Sequence, residues 1–169
     1  MKVFLGSDHV GLQIKEKVKT FLIGKGFTVE DCGAYTFDKD DDYPDFVGKA
    51  AEGVSHDPAS FGIVFGGSGQ GEAIVANKYK NVRCSLFYAP CIPTQAIDVT
   101  GKVSVDRFEM LRLTRVHNDA NVLSLGVRFL QEEELMQAIT VFLETPFNKE
   151  ERHARRIEKI TKIEEDVMK

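Results

Sequence analysis

Short apolar runs alternate along the chain with longer stretches in which apolar residues recur every three or four positions. Lys2–Leu5 predicts a strand, and Ile14, Val18, Phe21 and Leu22 follow at helical spacing. The alternation continues, predicting strands at 27–30, 61–65, 83–87 and 121–125 and helices at 43–54, 72–78, 107–116 and 131–143. Repeated strand–helix units favour a parallel sheet with helices on both faces. We therefore expect an α/β fold: a doubly wound, five-stranded, flavodoxin-like three-layer sandwich.

The segment 149–169 carries one apolar stripe among charges of both signs, which predicts a C-terminal amphipathic helix. Because the α/β unit is complete before this segment, the helix either packs on a partner subunit or docks on its own domain. A length of 169 residues is usual for one domain, so we expect a single domain over residues 1–169.

Composition excludes several classes of function. A formal net charge of −4 provides no basic field for nucleic acid. No apolar run is long enough for a signal peptide or a membrane helix, so we expect a cytoplasmic protein without a membrane partner. Cys32, Cys84 and Cys91 lack metal-ligand spacing and are expected to be reduced thiols, with Cys91 the best candidate for a reactive one. We expect neither a metal nor another cofactor.

The segment Gly66–Glu72 follows the third predicted strand and opens a helix. Gly66 and Gly71 have the spacing of a nucleotide-binding P-loop, but Glu72 stands where that loop needs a lysine. The dinucleotide fingerprint also fails, because it requires a glycine at position 72. The remaining interpretation is a turn whose backbone N–H groups, with the hydroxyl of Ser68, bind developing negative charge. Glu72 is then either a base beside that site or a first-turn carboxylate favoured by the helix dipole.

Polar residues at other strand ends are weaker signals. Asp8 and His9 follow the first strand, so they belong at the same carboxyl edge of the sheet as the glycine turn. Asp8 is alternatively a helix cap. His117 and Asn118 precede the fifth strand, where a buried histidine bonded to the backbone is an ordinary outcome.

The C-terminal helix carries a cluster of basic residues. Arg152 and Arg156 are four residues apart, so they share a helix face and have the spacing to bind one phosphate, with His153 beside them. A solvated charged face is the alternative. Residues 88–105 contain two prolines and a glycine without a sustained period, which predicts a long loop.

Separated stretches of the sequence together resemble the type B ribose-5-phosphate isomerases, relatives of the galactose-6-phosphate isomerase subunits. The matching stretches, in chain order, are 6–11, 41–44, 66–72 with 76–78, 117–118, 126–128 and 152–156. The resemblance implies a doubly wound fold and homodimers with shared active sites, alone or paired into tetramers. Many members carry a cysteine base at the place of Gly66. This chain resembles a second branch, which has Gly-Gly-Ser-Gly-x-Gly-Glu with the glutamate as base.

The same resemblance implies the interconversion of ribose 5-phosphate and ribulose 5-phosphate through a cis-enediolate, with Glu72 as the base. His117, assisted by Asp8, is then expected to open the sugar ring, while Ser68 holds the enediolate. The expected substrate-binding residues are His9, Tyr43, Gly67, Gly69, Gly71, Asn118, Arg128, Arg152, His153 and Arg156. The loop 88–105 is longer than is typical of the family, so a six-carbon sugar 6-phosphate of the allose or galactose type stays open as the substrate. The topology alone would also permit a second alternative, a non-catalytic sugar-phosphate-binding module.

Overall fold

Within residues 1–167, which a computed structural model describes, five parallel strands form one sheet in the order β2-β1-β3-β5-β4. The strands are β1 Lys2–Ser7, β2 Thr28–Asp31, β3 Phe61–Gly66, β4 Cys84–Phe87 and β5 Val122–Gly126. The helices are α1 Leu12–Gly24, α2 Tyr43–His56, α3 Gln70–Ala76, α4 Glu109–Asn118, α5 Glu132–Glu144 and α6 Glu151–Val167. The doubly wound fold is therefore confirmed. The last two residues of the predicted C-terminal helix, 168–169, lie outside the described part.

The strand residues alternate between two apolar cores, one on each face of the sheet. Val3 and Leu5 on β1 join the core that also contains residues of α1, α4 and α5. Phe4, between them, joins the core that contains residues of α2 and α3. Successive side chains of a strand point to opposite faces, so a strand covered on both sides reads as the continuous apolar run seen in β3.

The strand register brings several loops together at one edge. Ser7 at the end of β1 pairs with Phe65 of β3, and Phe65 pairs in turn with Leu125 of β5. The loops that follow these three strands therefore begin side by side at the carboxyl edge of the sheet, where open α/β sheets bind ligands.

Helix α6 contacts α4 of the same chain. The carboxylate of Glu164 accepts a hydrogen bond of 2.9 Å from the backbone N–H of Asn81. The helix thus docks in part on its own chain. Ile163 and Val167 remain 63% and 72% exposed, so packing of its apolar stripe on a partner subunit stays a prediction. In the described part of the chain, no helix is both long enough and apolar enough to span a bilayer.

The predicted loop 88–105 is a hydrogen-bonded arm without helix or strand. Its two limbs are joined by bonds from Cys91 N to the Arg107 carbonyl (2.9 Å) and from Ile97 N to the Lys102 carbonyl (2.8 Å). At its tip, the carboxylate of Asp98 accepts bonds from within the turn. The arm leaves the carboxyl edge after β4, and its tip reaches the end of α4 that precedes β5.

Candidate active site

The glycine segment forms a loop that is fastened to the end of the neighbouring strand β5. Val127 N donates to the Gly66 carbonyl (2.9 Å), and the Ser124 hydroxyl donates to the Gly69 carbonyl (2.6 Å). Gly69 adopts φ +74°, a left-handed conformation that favours glycine. The loop over residues 66–71 is therefore held at its first residue and at its sharpest turn.

Glu72 lies buried against the backbone of Gly66. The residue is 5% exposed, and a Cβ atom added at position 66 would lie 1.8 Å from its Oε1. Only a glycine permits this approach. Burial raises the pKa of Glu72, and the nearby charge of Asp8 raises it further. The structure thus places a desolvated carboxylate, with increased basicity, beside the glycine loop.

Asp8 and His9 lie at the same edge, as the order of elements predicts. Asp8 is buried and accepts a bond of 2.9 Å from Val10 N; it does not cap α1, whose N-cap is Gly11. His9 Nδ1 lies 2.6 Å from Oδ1 of Asp41, and this hydrogen bond raises the pKa of His9. Among residues 1–167, Asp8, His9 and Asp41 are also the group whose side chains could together hold a metal ion.

Tyr43 and Arg128 border the glycine loop from opposite sides. The hydroxyl of Tyr43 lies 2.6 Å from the position of a Cβ on Gly71, and the guanidinium of Arg128 lies 3.2 Å from the position of a Cβ on Gly67. Ser68, between these glycines, is partly exposed. Its hydroxyl oxygen accepts a long bond of 3.4 Å from Gln70 N, which leaves the O–H group able to donate to a ligand that occupies the loop.

A second cluster surrounds His117 at the end of α4. The ring of His117 stacks on that of His153, with centroids 4.2 Å apart. Both line a cavity of about 240 Å³ together with Arg152, Arg156 and residues 96–99 of the arm. Two arginines facing one cavity make it attractive to an anion.

His153 is more deeply buried than Arg152 and Arg156, which line the same cavity. It is 2% exposed, and neither ring nitrogen has a hydrogen-bond partner within the described residues. Burial and the neighbouring His117 lower the pKa of His153, which favours the neutral ring. Its geometry suits packing against His117 better than a direct phosphate contact.

Asn118 faces away from this cavity. It lines a separate groove between β4 and α6, together with Ile160 and Ile163. The backbone carbonyl oxygen of Asn118 accepts a hydrogen bond of 2.9 Å from Nε of Arg83. Within one chain, therefore, the expected sugar contact of Asn118 is not joined to the His117 cavity.

The two clusters occupy opposite edges of the sheet. His117 precedes β5, whereas the glycine loop is fastened at the end of that strand. The five residues of β5 span about 13 Å from first to last. One chain therefore does not bring Glu72 and His117 onto the same small ligand.

Two features of the site are not predicted by the sequence. Asp41, which binds His9, lies in the matching stretch 41–44, but that match does not distinguish it from the adjacent Asp42 and assigns it no contact. The arm residues 96–99 line the His117 cavity, but a segment without periodicity gives no indication of where its tip will lie.

A parallel α/β sheet with a desolvated carboxylate beside a loop of backbone N–H groups is typical of enzymes that transfer protons next to developing negative charge. The sequence family described as Ribose/Galactose Isomerase matches residues 3–100 and 103–160. The chain belongs to this family, and the resemblance inferred from the motifs is confirmed.

Individual relatives are similar over nearly their whole length. Ribose-5-phosphate isomerase B of Mycolicibacterium paratuberculosis is 38% identical over 164 residues, covering 97% of this chain and 92% of the relative. The crystal structure of ribose-5-phosphate isomerase B from Mycoplasma genitalium with bound ribulose-5-phosphate superposes with a TM-score of 0.84 at 34% identity, covering 98% and 97%. The type B ribose 5-phosphate isomerase of Trypanosoma cruzi gives 0.82 at 36% identity, covering 98% and 97%.

Proposed function

We propose that this chain is an aldose–ketose isomerase that interconverts ribose 5-phosphate and ribulose 5-phosphate. The observation that carries the proposal is the buried carboxylate of Glu72 packed against the glycine loop. The name shared by its relatives, and the ribulose-5-phosphate bound in the Mycoplasma genitalium structure, support the choice of substrate.

Glu72 is the proposed base for the proton transfer between C2 and C1. Burial disfavours its charged form, so the carboxylate is a stronger base than an exposed one. Removal of the C2 proton produces a cis-enediolate, whose negative oxygen needs hydrogen-bond donors. Ser68 and the N–H groups of Gly67, Gly69 and Gly71 are the proposed donors, at roughly 3 to 4 kcal/mol per donor in the transition state.

The residues proposed for ring opening and phosphate binding come from a second copy of the chain. His117, Arg152 and Arg156 lie at the opposite sheet edge from Glu72, and a five-carbon sugar phosphate is shorter than that separation. We therefore infer a homodimer in which the His117 cavity of one subunit faces Glu72 and Asp8 of the other. A twofold axis creates two such sites at once.

Replacement of Glu72 tests the base assignment. Glu72→Gln keeps the shape of the side chain, so it should abolish exchange of the C2 proton in heavy water while ribose 5-phosphate still binds. Glu133→Gln, on the exposed first turn of α5, is the matched control and should retain full exchange. Turnover by Glu72→Gln at the wild-type rate would refute the assignment of Glu72 as the base. If the wild-type protein exchanges the C2 proton of a six-carbon sugar phosphate but not that of ribose 5-phosphate, the substrate is a six-carbon sugar phosphate.

Mixed dimers test the shared site. Glu72→Gln and His117→Ala subunits, each inactive alone, are unfolded together, refolded and assayed. Random pairing gives heterodimers with one intact site and one doubly defective site, so about a quarter of wild-type activity should return. Failure of any activity to return, in mixtures shown to contain heterodimers, would place both residues in the same subunit's site.

A further inference from the structure

Asp8, His9 and Asp41 converge at the carboxyl edge of the sheet. One ligand atom from each lies within 4.8 Å of the others, and His9 Nδ1 and Asp41 Oδ1 are 2.6 Å apart. Imidazole nitrogen and carboxylate oxygen are both ligands that zinc takes in proteins, and three protein ligands would leave a fourth position open. A hydrogen-bonded pair beside an aspartate is common without a metal, so the set alone does not define a site.

The second oxygen of Asp41 provides an independent observation. Oδ2 is buried and has no hydrogen-bond partner among residues 1–167, and the side chain is only 9% exposed. An unpaired carboxylate oxygen removed from water is costly, and a bound cation removes that cost. This oxygen belongs to the same carboxylate as Oδ1, the oxygen that contacts His9.

The surrounding charges also favour a cation. Asp8, Asp41 and Glu72 bring three carboxylates to this edge, and Asp8 is close enough to raise the pKa of Glu72. His9 and the neighbouring guanidinium of Arg128 are the cationic groups that act here. An ion bound between Asp8, His9 and Asp41 would replace the proton that the His9–Asp41 pair shares.

We propose that Asp8, His9 and Asp41 form a binding site for one divalent transition-metal ion such as Zn²⁺, and that an ion bound there excludes the sugar phosphate. The nitrogen ligand favours Zn²⁺ or Co²⁺ over Mg²⁺ and Ca²⁺, which prefer sets made of oxygen. The 26% exposure of the His9 side chain gives the ion a route from solvent. Exclusion of the sugar rests on the proposed function; binding of the ion does not.

Calorimetric titration of the sugar-free protein with Zn²⁺ tests the site directly. Wild type should bind one ion per chain, and Asp41→Asn and Asp8→Asn should each weaken binding by at least about tenfold, since even loss of an outer partner costs this much. Asp40→Asn, whose side chain is 77% exposed, is the matched control and should bind like wild type. Circular dichroism verifies that each variant is folded. A Co²⁺ spectrum without thiolate charge-transfer bands would separate this site from binding at Cys91.

The outcomes separate the site from its consequence. No saturable binding, or equal affinity in Asp41→Asn, would overturn the site. Overlap of the metal site with the sugar-phosphate site predicts that ribose 5-phosphate displaces Zn²⁺. It also predicts that Zn²⁺ raises KM without changing kcat, and that a chelator reverses the effect. Simultaneous binding of Zn²⁺ and the sugar phosphate would overturn the overlap. A wild-type protein without isomerase activity would contradict the proposed function, while the titration would still decide the metal site.

Discussion

Substituting alanine at Gly66 tests the base with one added methyl group. An ideal Cβ at this position would lie 1.8 Å from Oε1 of Glu72 and 2.0 Å from its Cδ. Ordinary van der Waals contact begins near 3.4 Å, so the carboxylate has to move by about 1.6 Å. Gly66→Ala should therefore displace the proposed base while leaving its chemical identity unchanged.

This displacement should lower the catalytic rate strongly but change the stability of the fold only slightly. A reacting group misplaced by about 1 Å can cost about a hundredfold in rate, so kcat should fall at least that far, or about 2.7 kcal/mol in activation free energy. The obstructing atoms are the end of a flexible side chain, and the φ of Gly66 is not left-handed. Stability should thus change by no more than about 1 kcal/mol.

Steady-state kinetics, C2 proton exchange and thermal unfolding of Gly66→Ala check both expectations. Gly24→Ala is the matched control, because an added Cβ there meets no atom within 4 Å. It should leave kcat at the wild-type value. A Gly66→Ala protein that turns over at the wild-type rate would show that the carboxylate of Glu72 is not needed where the structure places it, and would refute its role as base.

Other predictions concern pH, stability and thiol reactivity. The pKa of Glu72 is raised on folding, so kcat/KM should fall as pH drops through it, and Glu72→Gln should increase the free energy of unfolding at pH 8 but not at pH 4. Burial opposes the ionisation of Asp31. Its hydrogen bonds, of which that from Lys15 has the largest effect, nevertheless lower its pKa to about 2. Asp31→Asn leaves the buried Lys15 with only the half-exposed Glu16 as an anionic partner and should cost about 2 kcal/mol in chemical denaturation at pH 7. Wild type should keep this contribution down to about pH 4 and lose it toward pH 2. Burial raises the pKa of Cys32 to about 11 and of Cys84 to about 12, so a thiol reagent should modify only the exposed Cys91 until the chain unfolds.

The fold was predictable because strands and helices leave different periods in the sequence. The boundaries differ by about two residues: α3 was expected to begin at Glu72 and begins at Gln70, and α4 was expected to begin at Arg107 and begins at Glu109. Such shifts arise at helix ends, where periodicity is weakest. The arm over 88–105 has no period, so neither its paired limbs nor its course along α4 follows from the sequence.

Part of the site was predictable from topology alone. Asp8 and Glu72 follow neighbouring parallel strands, and the register of β1 and β3 places them at one edge. The partnership of His117 with Glu72 rests on the family resemblance, since the order of elements puts these residues at opposite edges. The contact of Asp41 with His9 depends on side-chain packing. The sequence has several adjacent aspartates here and does not show which of them makes this contact.

With Glu72 as the proposed base, its contact with Gly66 would explain how one fold accommodates two kinds of base. In the branch of the family with a cysteine base, the cysteine occupies the place of Gly66. Here the carboxylate of Glu72 fills the space that any such side chain would need, as the 1.8 Å approach shows. A side chain at residue 66 and the carboxylate of residue 72 therefore compete for the same space beside the loop. A cysteine at 66 and a glutamate in the observed pose exclude each other, so the residue at 66 decides which base the loop can present.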